Sequence, residues 1–415
     1  MKQYVIIGNG IAAAGIIEGI RSIDTDGSVT VISGEKYPVY CRPLISYYLE
    51  GKTALDHMGY RPEDFYEKSG CTVLYGKRAE RIDPALKTVS LDDGALLPYD
   101  SLCAAVGSEP FIPGFEGLDT VNDKFTFMTL DDALSLERAV SERSHVLIVG
   151  AGLTGLKCAE GLAGRAKSIT VCDLAKRVLP SILDDETAAM VQKRLEKHTM
   201  KFLLGDCVAR FDGQTAYMES GQTIEFDVLV LAVGVRPNTA LIKDAGGGVG
   251  RGVQVDTSMA TTLPDIYAAG DCTECVDVSS GVSKVLAIMP NAYMQGKCAG
   301  INMAGGGALF DYGIAMNSTG LFGMHIMTAG SYPSEDEGGS VYEERTDSTL
   351  KRLFVRDGKL TGFMLIGCIE RAGIYTRLIR EQIPLCTFDF DMIKKAPSLF
   401  SLGNEYRRKI LGGVV

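Results

Sequence analysis

Val5-Ile6-Ile7-Gly8-Asn9-Gly10-Ile11-Ala12-Ala13 opens the chain, and Val146-Leu147-Ile148-Val149-Gly150-Ala151-Gly152-Leu153-Thr154-Gly155 repeats its pattern about 140 residues later. In each, a β-rich apolar run meets a glycine turn and then a helix-like segment. The first glycine permits the tight turn, and the second lets the backbone approach a pyrophosphate. The third small residue lets helix and strand pack closely. The pyrophosphate then sits at the helix N-terminus, where unpaired N–H groups and the helix dipole favour an anion. One such motif is a weak signal; two in one chain point to two nucleotides meeting in one enzyme.

Each cradle needs an acid after the next strand to accept hydrogen bonds from ribose hydroxyls. Asp173 ends the run Ser168-Ile169-Thr170-Val171-Cys172-Asp173. Its charge would also repel a 2′-phosphate, so the second cradle favours NAD(H) over NADP(H). Arg177 lies close by and weakens that preference. In the first unit the strand is Ser28-Val29-Thr30-Val31-Ile32 and the acid comes later, at Glu35. For either acid the alternative is a solvated strand-end carboxylate.

The 415 residues allow two or three domains, and 46% apolar content supplies large cores. A net charge of −10 argues against nucleic acid and anionic membrane surfaces as partners. Eleven cysteines without a regular framework read as reduced thiols in a cytoplasm. The apolar N-terminal stretch is broken by Gly8, Asn9 and Gly10, which fits a nucleotide loop better than a signal peptide. No apolar run reaches the roughly 20 residues of a membrane span.

Residues 1–33 read as strand, helix, strand, and residues 71–111 as β-rich, with Asp92-Asp93-Gly94 at a hairpin turn. Residues 37–70 are irregular, apart from a short helix that ends at Leu49. Composition shifts to a linker at Pro113-Gly114, a polar amphipathic helix covers 129–143, and the second βαβ unit follows. Val228–Gly234 and Ile266–Asp271 are buried strands that end in glycine turns, and 286–304 is helical. Past residue 330 the segments 340–344, 349–356 and 359–366 alternate like an antiparallel sheet, with Asp357-Gly358 as a tight turn. An amphipathic helix over 370–382 follows.

Four motifs in order now carry a resemblance. They are Gly8-Asn9-Gly10, the segment from Tyr99-Asp100 to Gly107-Ser108-Glu109-Pro110, Gly150–Gly155, and Thr262-Leu263-Pro264-Asp265-Ile266-Tyr267-Ala268-Ala269-Gly270-Asp271. Over residues 1–330 the chain resembles the FAD-dependent pyridine nucleotide oxidoreductases. Tyr40–Leu49 and Gly152–Lys157 are most similar to the branch of NADH:rubredoxin oxidoreductases and nitrite reductase flavoproteins. The resemblance implies an α/β protein with two Rossmann-like, three-layer ββα domains, the NAD domain inserted in the FAD domain, and a small α+β C-terminal domain. Residues 1–115 and 240–328 would bind FAD, 116–239 would bind NAD(H), and 329–415 would help form the acceptor side. Hydride would pass from nicotinamide C4 to flavin N5. The flavin would deliver single electrons to a small redox protein or an iron–sulfur subunit, with the chain working as a homodimer or within a hetero-oligomeric complex.

Residue by residue, the resemblance places Gly8, Gly10 and Ala13 at the FAD pyrophosphate, with Glu35 at its ribose. Arg42 and Pro43 would lie along the FAD, Gly107 in the turn beside it, and Gly270 and Asp271 at its ribityl or pyrophosphate region. Asp271 is also suited to cap a helix. Gly150, Gly152, Gly155 and Asp173 would seat NAD(H), and Gly234 and Val235 would pass near the nicotinamide.

Several residues depart from the family pattern. No Cys-x4-Cys pair follows the first cradle. Cys41 stands near the redox thiol of one-cysteine relatives such as coenzyme A disulfide reductase and NADH oxidase, and Arg42 beside it would favour its thiolate. The alternative is a bystander thiol. Lys157 occupies a position that is a carboxylate in many relatives; it would either stabilise negative charge on reduced flavin or pair with a neighbouring acid. Cys272-Thr273-Glu274-Cys275 lacks further ligands at metal spacing, so no metal is expected. The four histidines (57, 145, 198, 325) sit apart, and His325 reads as a core or interface residue. Arg371, Arg377 and Arg380 on the last amphipathic helix offer a basic stripe or an ordinary solvated face.

Overall fold

The computed structural model describes residues 1–198 and 200–398. The chain folds as two compact units. One comprises Met1–Lys36, Tyr66–Gly107 and the chain from Thr239 onward; the other comprises Tyr37–Phe65 and Ser108–Asn238. The segment 37–65, expected in the same unit as the first cradle, thus groups with the second.

In the first unit, five parallel strands lie in the order Ile266–Ala268, Ser101–Ala104, Gln3–Ile7, Ser28–Ser33 and Cys71–Tyr75. Their near-continuous apolar sequences match a parallel sheet covered on both faces. The chain leaves the central strand, Gln3–Ile7, into the helix Ile11–Arg21. On one face a second helix, Met289–Met303, packs on that helix. The other face is covered by the antiparallel strands Ala79–Asp83, Thr88–Leu91 and Leu96–Pro98, whose Ile82, Val89 and Leu91 share a core with Val5, Ile7, Leu102 and Ala268. This is the three-layer architecture the sequence led us to expect. Neighbours on either side of the central strand are reached by opposite chain directions, and open α/β sheets bind ligands at such a switch point, outside the carboxyl ends of the strands.

The same unit carries a five-stranded antiparallel sheet, in the order Met316–Leu321, Met324–Gly330, Lys359–Ile366, Leu350–Arg356 and Ser340–Arg345. Asp357 and Gly358 both have positive φ, as a two-residue type I′ hairpin requires. The helix Ala372–Arg380 buries Ala372, Tyr375, Leu378 and Ile379 against Leu353, Leu360, Phe363 and Leu365. The sheet begins at Met316, ahead of residue 329. Its first strand escapes a pattern search because the centre of Met316-Asn317-Ser318-Thr319-Gly320-Leu321 is polar.

The second unit repeats the plan. Its parallel strands run in the order Met200–Leu204, Ser168–Asp173, His145–Val149, Val228–Leu231 and Lys124–Phe125. The antiparallel strands Val208–Asp212, Thr215–Met218 and Thr223–Glu225 close one face, Phe211, Ala216 and Met218 joining Leu147, Val149 and Leu229 in the core. The helix Leu153–Leu162 packs against Leu44–Leu49, where Gly161 leaves room: a Cβ there would lie 3.0 Å from both Ser46 O and Leu49 Cβ. Ser108–Pro110 and Val235–Pro237 pair as a short antiparallel ribbon.

Candidate functional site

Both cradles solve one steric problem in one way. Gly8 adopts φ +107°, and a Cβ on it would lie 2.2 Å from Ala105 O, which follows the neighbouring strand. Gly150 adopts φ +119°, and a Cβ on it would lie 2.2 Å from Ala232 O. Each donates its N–H to the strand on the other side, Gly8 to Ile32 O and Gly150 to Cys172 O, both at 2.8 Å. A side chain is thus barred twice, by φ and by contact.

Gly10 and Gly152 differ from these. Both have ordinary negative φ and cap the following helix without a side-chain hydrogen bond. Apart from the adjoining chain, no atom of the described residues comes within 4 Å of a Cβ built at either. The fold therefore does not require glycine there, whereas a ligand reaching the helix N-terminus does. By contrast, the helix Leu130–Ala139 satisfies its own N-terminus through a capping box from Thr129 and Asp132. At the third position, a Cβ on Gly155 would lie 1.9 Å from Gly150 O, while Ala13 fits fully buried in the first cradle. Both cradles fit a dinucleotide pyrophosphate.

Two more strand ends join the first cradle. Gly107, at φ +63°, lies two residues beyond Ala105. Gly270, at φ +86°, would place a Cβ 3.1 Å from Ala12 Cβ, which brings the Gly270–Asp271 turn beside the cradle helix. A strand, Thr273–Asp277, follows Asp271, so Asp271 does not cap a helix. The Asn9 side chain accepts a 2.6 Å hydrogen bond from the Tyr66 hydroxyl. Glu35 lies just past the second strand, its carbonyl receiving the Ser33 hydroxyl at 2.7 Å.

In the second cradle Asp173 stands at the strand end, as expected, and its carboxylate also braces the loops. One oxygen accepts the N–H of Ala151 (2.7 Å), the other that of Ala175 (2.8 Å). Arg177, expected to weaken the preference for NAD(H), binds Leu183 O, Pro180 O and the Asp185 carboxylate. Gly234, at φ +132°, receives the Phe111 N–H on its carbonyl, and Val235 is 46% exposed. Leu174, missed in the sequence, is 72% exposed next to Asp173; an apolar residue directly after the strand-end acid was its signal.

The structure bears on four further readings. Burial raises the Cys41 thiol pKa above its ordinary value, with the Leu44 N–H lowering it less. The Arg42 guanidinium donates to Met128 O at 3.0 Å and lies 5.5 Å from the Tyr40 ring centre. Burial thus works against the thiolate expected from its neighbour; Pro43, next to Arg42, leads into the helix Leu44–Leu49. Lys157 forms an ion pair with the buried Glu160 one turn on, and its ammonium lies 4.6 Å from the Tyr47 ring centre. Of its two readings, the geometry displays the pair. His325 is exposed on its strand, contrary to a core reading. On the last helix, Arg371 donates to Pro397 O and Arg377 pairs with Glu381, while Arg380 has Nε and Nη2 buried without a hydrogen-bond partner among the described residues.

The Cys-x2-Cys thiols are buried in the fold. Cys272 Sγ donates towards Ala104 O and Ala269 O, and Cys275 Sγ receives the Gln295 amide. Among the described residues no group of three His, Cys, Asp or Glu could hold a metal ion, and no helix is long and apolar enough to cross a membrane.

Residues 2–296 match the pyridine nucleotide-disulphide oxidoreductase family. The chain is 31% identical to the NADH-dependent phenylglyoxylate dehydrogenase subunit epsilon of Aromatoleum evansii, over 92% of each chain. It is 30% identical to the nitrite reductase [NAD(P)H] of Bacillus subtilis over 92% of its own length and 47% of that protein, so it spans about half of that relative. Its fold matches a chain in the crystal structure of the covalent putidaredoxin reductase–putidaredoxin complex with a TM-score of 0.87 and 20% identity, covering 99% of this chain and 98% of that one. The two ββα cradles and the match across most of the chain lead to one assignment: this protein is an oxidoreductase of the pyridine nucleotide-disulphide oxidoreductase family, whose members work with FAD and NAD(H).

Proposed function

We propose that the chain passes electrons between NADH and a one-electron carrier, rubredoxin or an iron–sulfur protein or subunit, with FAD in the first cradle and NAD(H) in the second. The observation that carries this reading is the paired geometry: Gly8 and Gly150 are locked by the fold, while Gly10 and Gly152 are left open beside uncapped helix ends. When bound, FAD converts the two-electron donor into a source of single electrons.

The chain's residues bind and orient. Gly8, Gly10 and Ala13 receive the FAD pyrophosphate at the Ile11–Arg21 helix, with Gly107, Gly270 and Asp271 on the adjoining strand ends. Glu35 takes the ribose of FAD, and Arg42 and Pro43 lie along the cofactor. Gly150, Gly152 and Gly155 receive the NAD(H) pyrophosphate. Asp173 takes its ribose hydroxyls while holding the Ala151 and Ala175 amides, and Gly234 and Val235 flank the nicotinamide. The exposed Leu174 offers an apolar surface beside the ribose acid. Lys157 acts with Glu160 as a compensated pair, so it adds little net charge.

Burial raises the Cys41 thiol pKa, which does not favour a thiol mechanism there. Eleven free thiols support a reducing, cytoplasmic setting. A relative that the chain matches over 92% of both lengths is named as a subunit, which supports service within a larger assembly. The test is anaerobic reduction of the FAD-loaded protein by NADH, followed by challenge with rubredoxin, ferredoxin, disulfides and oxygen. Fast reduction of an iron–sulfur protein and slow reaction with oxygen and disulfides are expected; a protein that will not take up FAD overturns the reading.

A further inference from the structure

Gln295 lies on the Met289–Met303 helix and is 1% exposed. Its Oε1 accepts the N–H of Gly270 at 2.8 Å and lies 3.2 Å from the Thr273 hydroxyl, and its Nε2 donates to Cys275 Sγ at 3.3 Å. The orientation of the amide follows from its partners, because the Gly270 N–H demands an acceptor. Thr273 closes the loop from within, its hydroxyl donating to Gly270 O at 2.8 Å. Cys272, the residue after Asp271, is held by Ala104 O and Ala269 O. One buried carboxamide thus ties two points of the turn, the Gly270 amide and the Cys275 sulfur. Of the four residues at its start, Gly270 has no side chain and Cys272 and Thr273 are fully buried, so Asp271 carries the one partly exposed side chain.

We propose that Gln295 is a positioning residue for the flavin, acting through the Gly270–Asp271 peptide. The inference rests on the reading of the first cradle as the FAD site and goes beyond it. Gly270 is held at φ +86° against Ala12 of the cradle helix. Its N–H is buried and needs an acceptor in every conformation. With Gln295 in place, the peptide has one satisfied direction, and Asp271 one direction in which to present its carboxylate. With an apolar side chain in its place, the N–H is orphaned and the peptide gains reason to turn.

The experiment compares Gln295→Leu, Gln295→Glu and Asp271→Asn in the full chain, reading FAD affinity, the visible flavin spectrum, the flavin midpoint potential and thermal stability. Gln295→Leu is expected to weaken FAD binding roughly tenfold and to shift both spectrum and potential. Gln295→Glu retains an acceptor for the Gly270 amide and is expected to restore affinity. In the Asp271→Asn background, Gln295→Leu is expected to cause less than half of its own loss, because both act on one contact. A leucine variant with wild-type FAD affinity, spectrum and potential overturns the proposal, and so does full additivity with Asp271→Asn. Should the leucine variant not fold, the glutamate variant decides: wild-type affinity and spectrum support the role, and a tenfold loss with unchanged melting overturns it. A wild-type chain that binds FAD and is reduced by NADH while these variants stay silent removes only this proposal. A wild-type chain without FAD affinity removes the functional reading beneath it.

Discussion

Gly296 lies against the carbonyl oxygen of Ala12 so closely that a Cβ on Gly296 would sit 2.1 Å from it. The contact is one of four. Gly300 meets Ile16 O at 2.1 Å, Gly15 meets Tyr293 O at 2.3 Å, and Gly19 meets Lys297 O at 2.4 Å, all measured from a built Cβ. The two helices run parallel and touch backbone to backbone, each offering glycines four residues apart on the facing side. The helix that carries the first cradle is thereby fixed against the helix that carries Gln295. Gly296→Ala is expected to lower stability by about 1–3 kcal/mol or more, because the obstacle is backbone that cannot rotate away. Thermal unfolding of the protein without added nucleotide measures it.

Gly10→Ala should act in the opposite sense on the fold. Its φ of −88° suits alanine and, apart from the adjoining chain, no atom of the described residues opposes the added methyl. Melting of the nucleotide-free protein is expected to stay level or rise slightly, by roughly 0.4–1 kcal/mol of stability, while FAD affinity falls by at least tenfold. Gly152→Ala is expected to do the same for NADH and leave FAD content unchanged. Isothermal titration with each nucleotide separates the two cradles.

Cys41 supplies the pH-dependent test. Burial raises its thiol pKa above the ordinary value, so the proton stays on near neutral pH and leaves only as pH climbs past that value. Alkylation of Cys41, followed by mass spectrometry of its peptide, is expected to be slow at pH 7 and to accelerate with alkalinity. Cys41→Ser is expected to retain steady-state NADH turnover with an electron acceptor. Loss of that turnover, with flavin reduction by NADH intact, would revive the thiol mechanism.

Arg380 presents a buried Nε and Nη2 with no hydrogen-bond partner among the described residues, and burial lowers its pKa. An orphaned, charged donor costs about 1–3 kcal/mol or more. Arg380→Met keeps the aliphatic stem against its neighbours and removes the unmet donors. The variant is expected to melt at a higher temperature than the wild type.

The parts of this molecule that were legible in the sequence are those where a local pattern has one structural meaning. Gly8 and Gly150 announce tight turns after strands, Asp173 ends an alternating run, and Asp357-Gly358 joins two strands. Residues whose purpose lies on a distant segment were not legible. Gly15, Gly19, Gly296 and Gly300 read as helix residues with poor propensity, because their partners are some 280 positions away. Gln295 looks like any polar residue on a helix until the Gly270 amide is seen to need it. Arg42 misled the reading of Cys41 because adjacency in sequence says nothing of direction: the guanidinium turns to Met128 and the thiol is set by burial instead. The basic stripe was not legible for the same reason, since spacing places Arg371, Arg377 and Arg380 on one helix but cannot reveal Pro397 or Glu381 beside them.

Asp173 serves two masters, since the carboxylate suited to sugar hydroxyls also clamps the Ala151 and Ala175 amides. Anyone wishing to convert this enzyme to the phosphorylated coenzyme would reach first for that side chain, to remove the repulsion. Doing so alone would slacken the pocket it was meant to retune. A successful conversion needs a short neutral acceptor at that place, such as asparagine or serine, together with a cation from elsewhere in the loop.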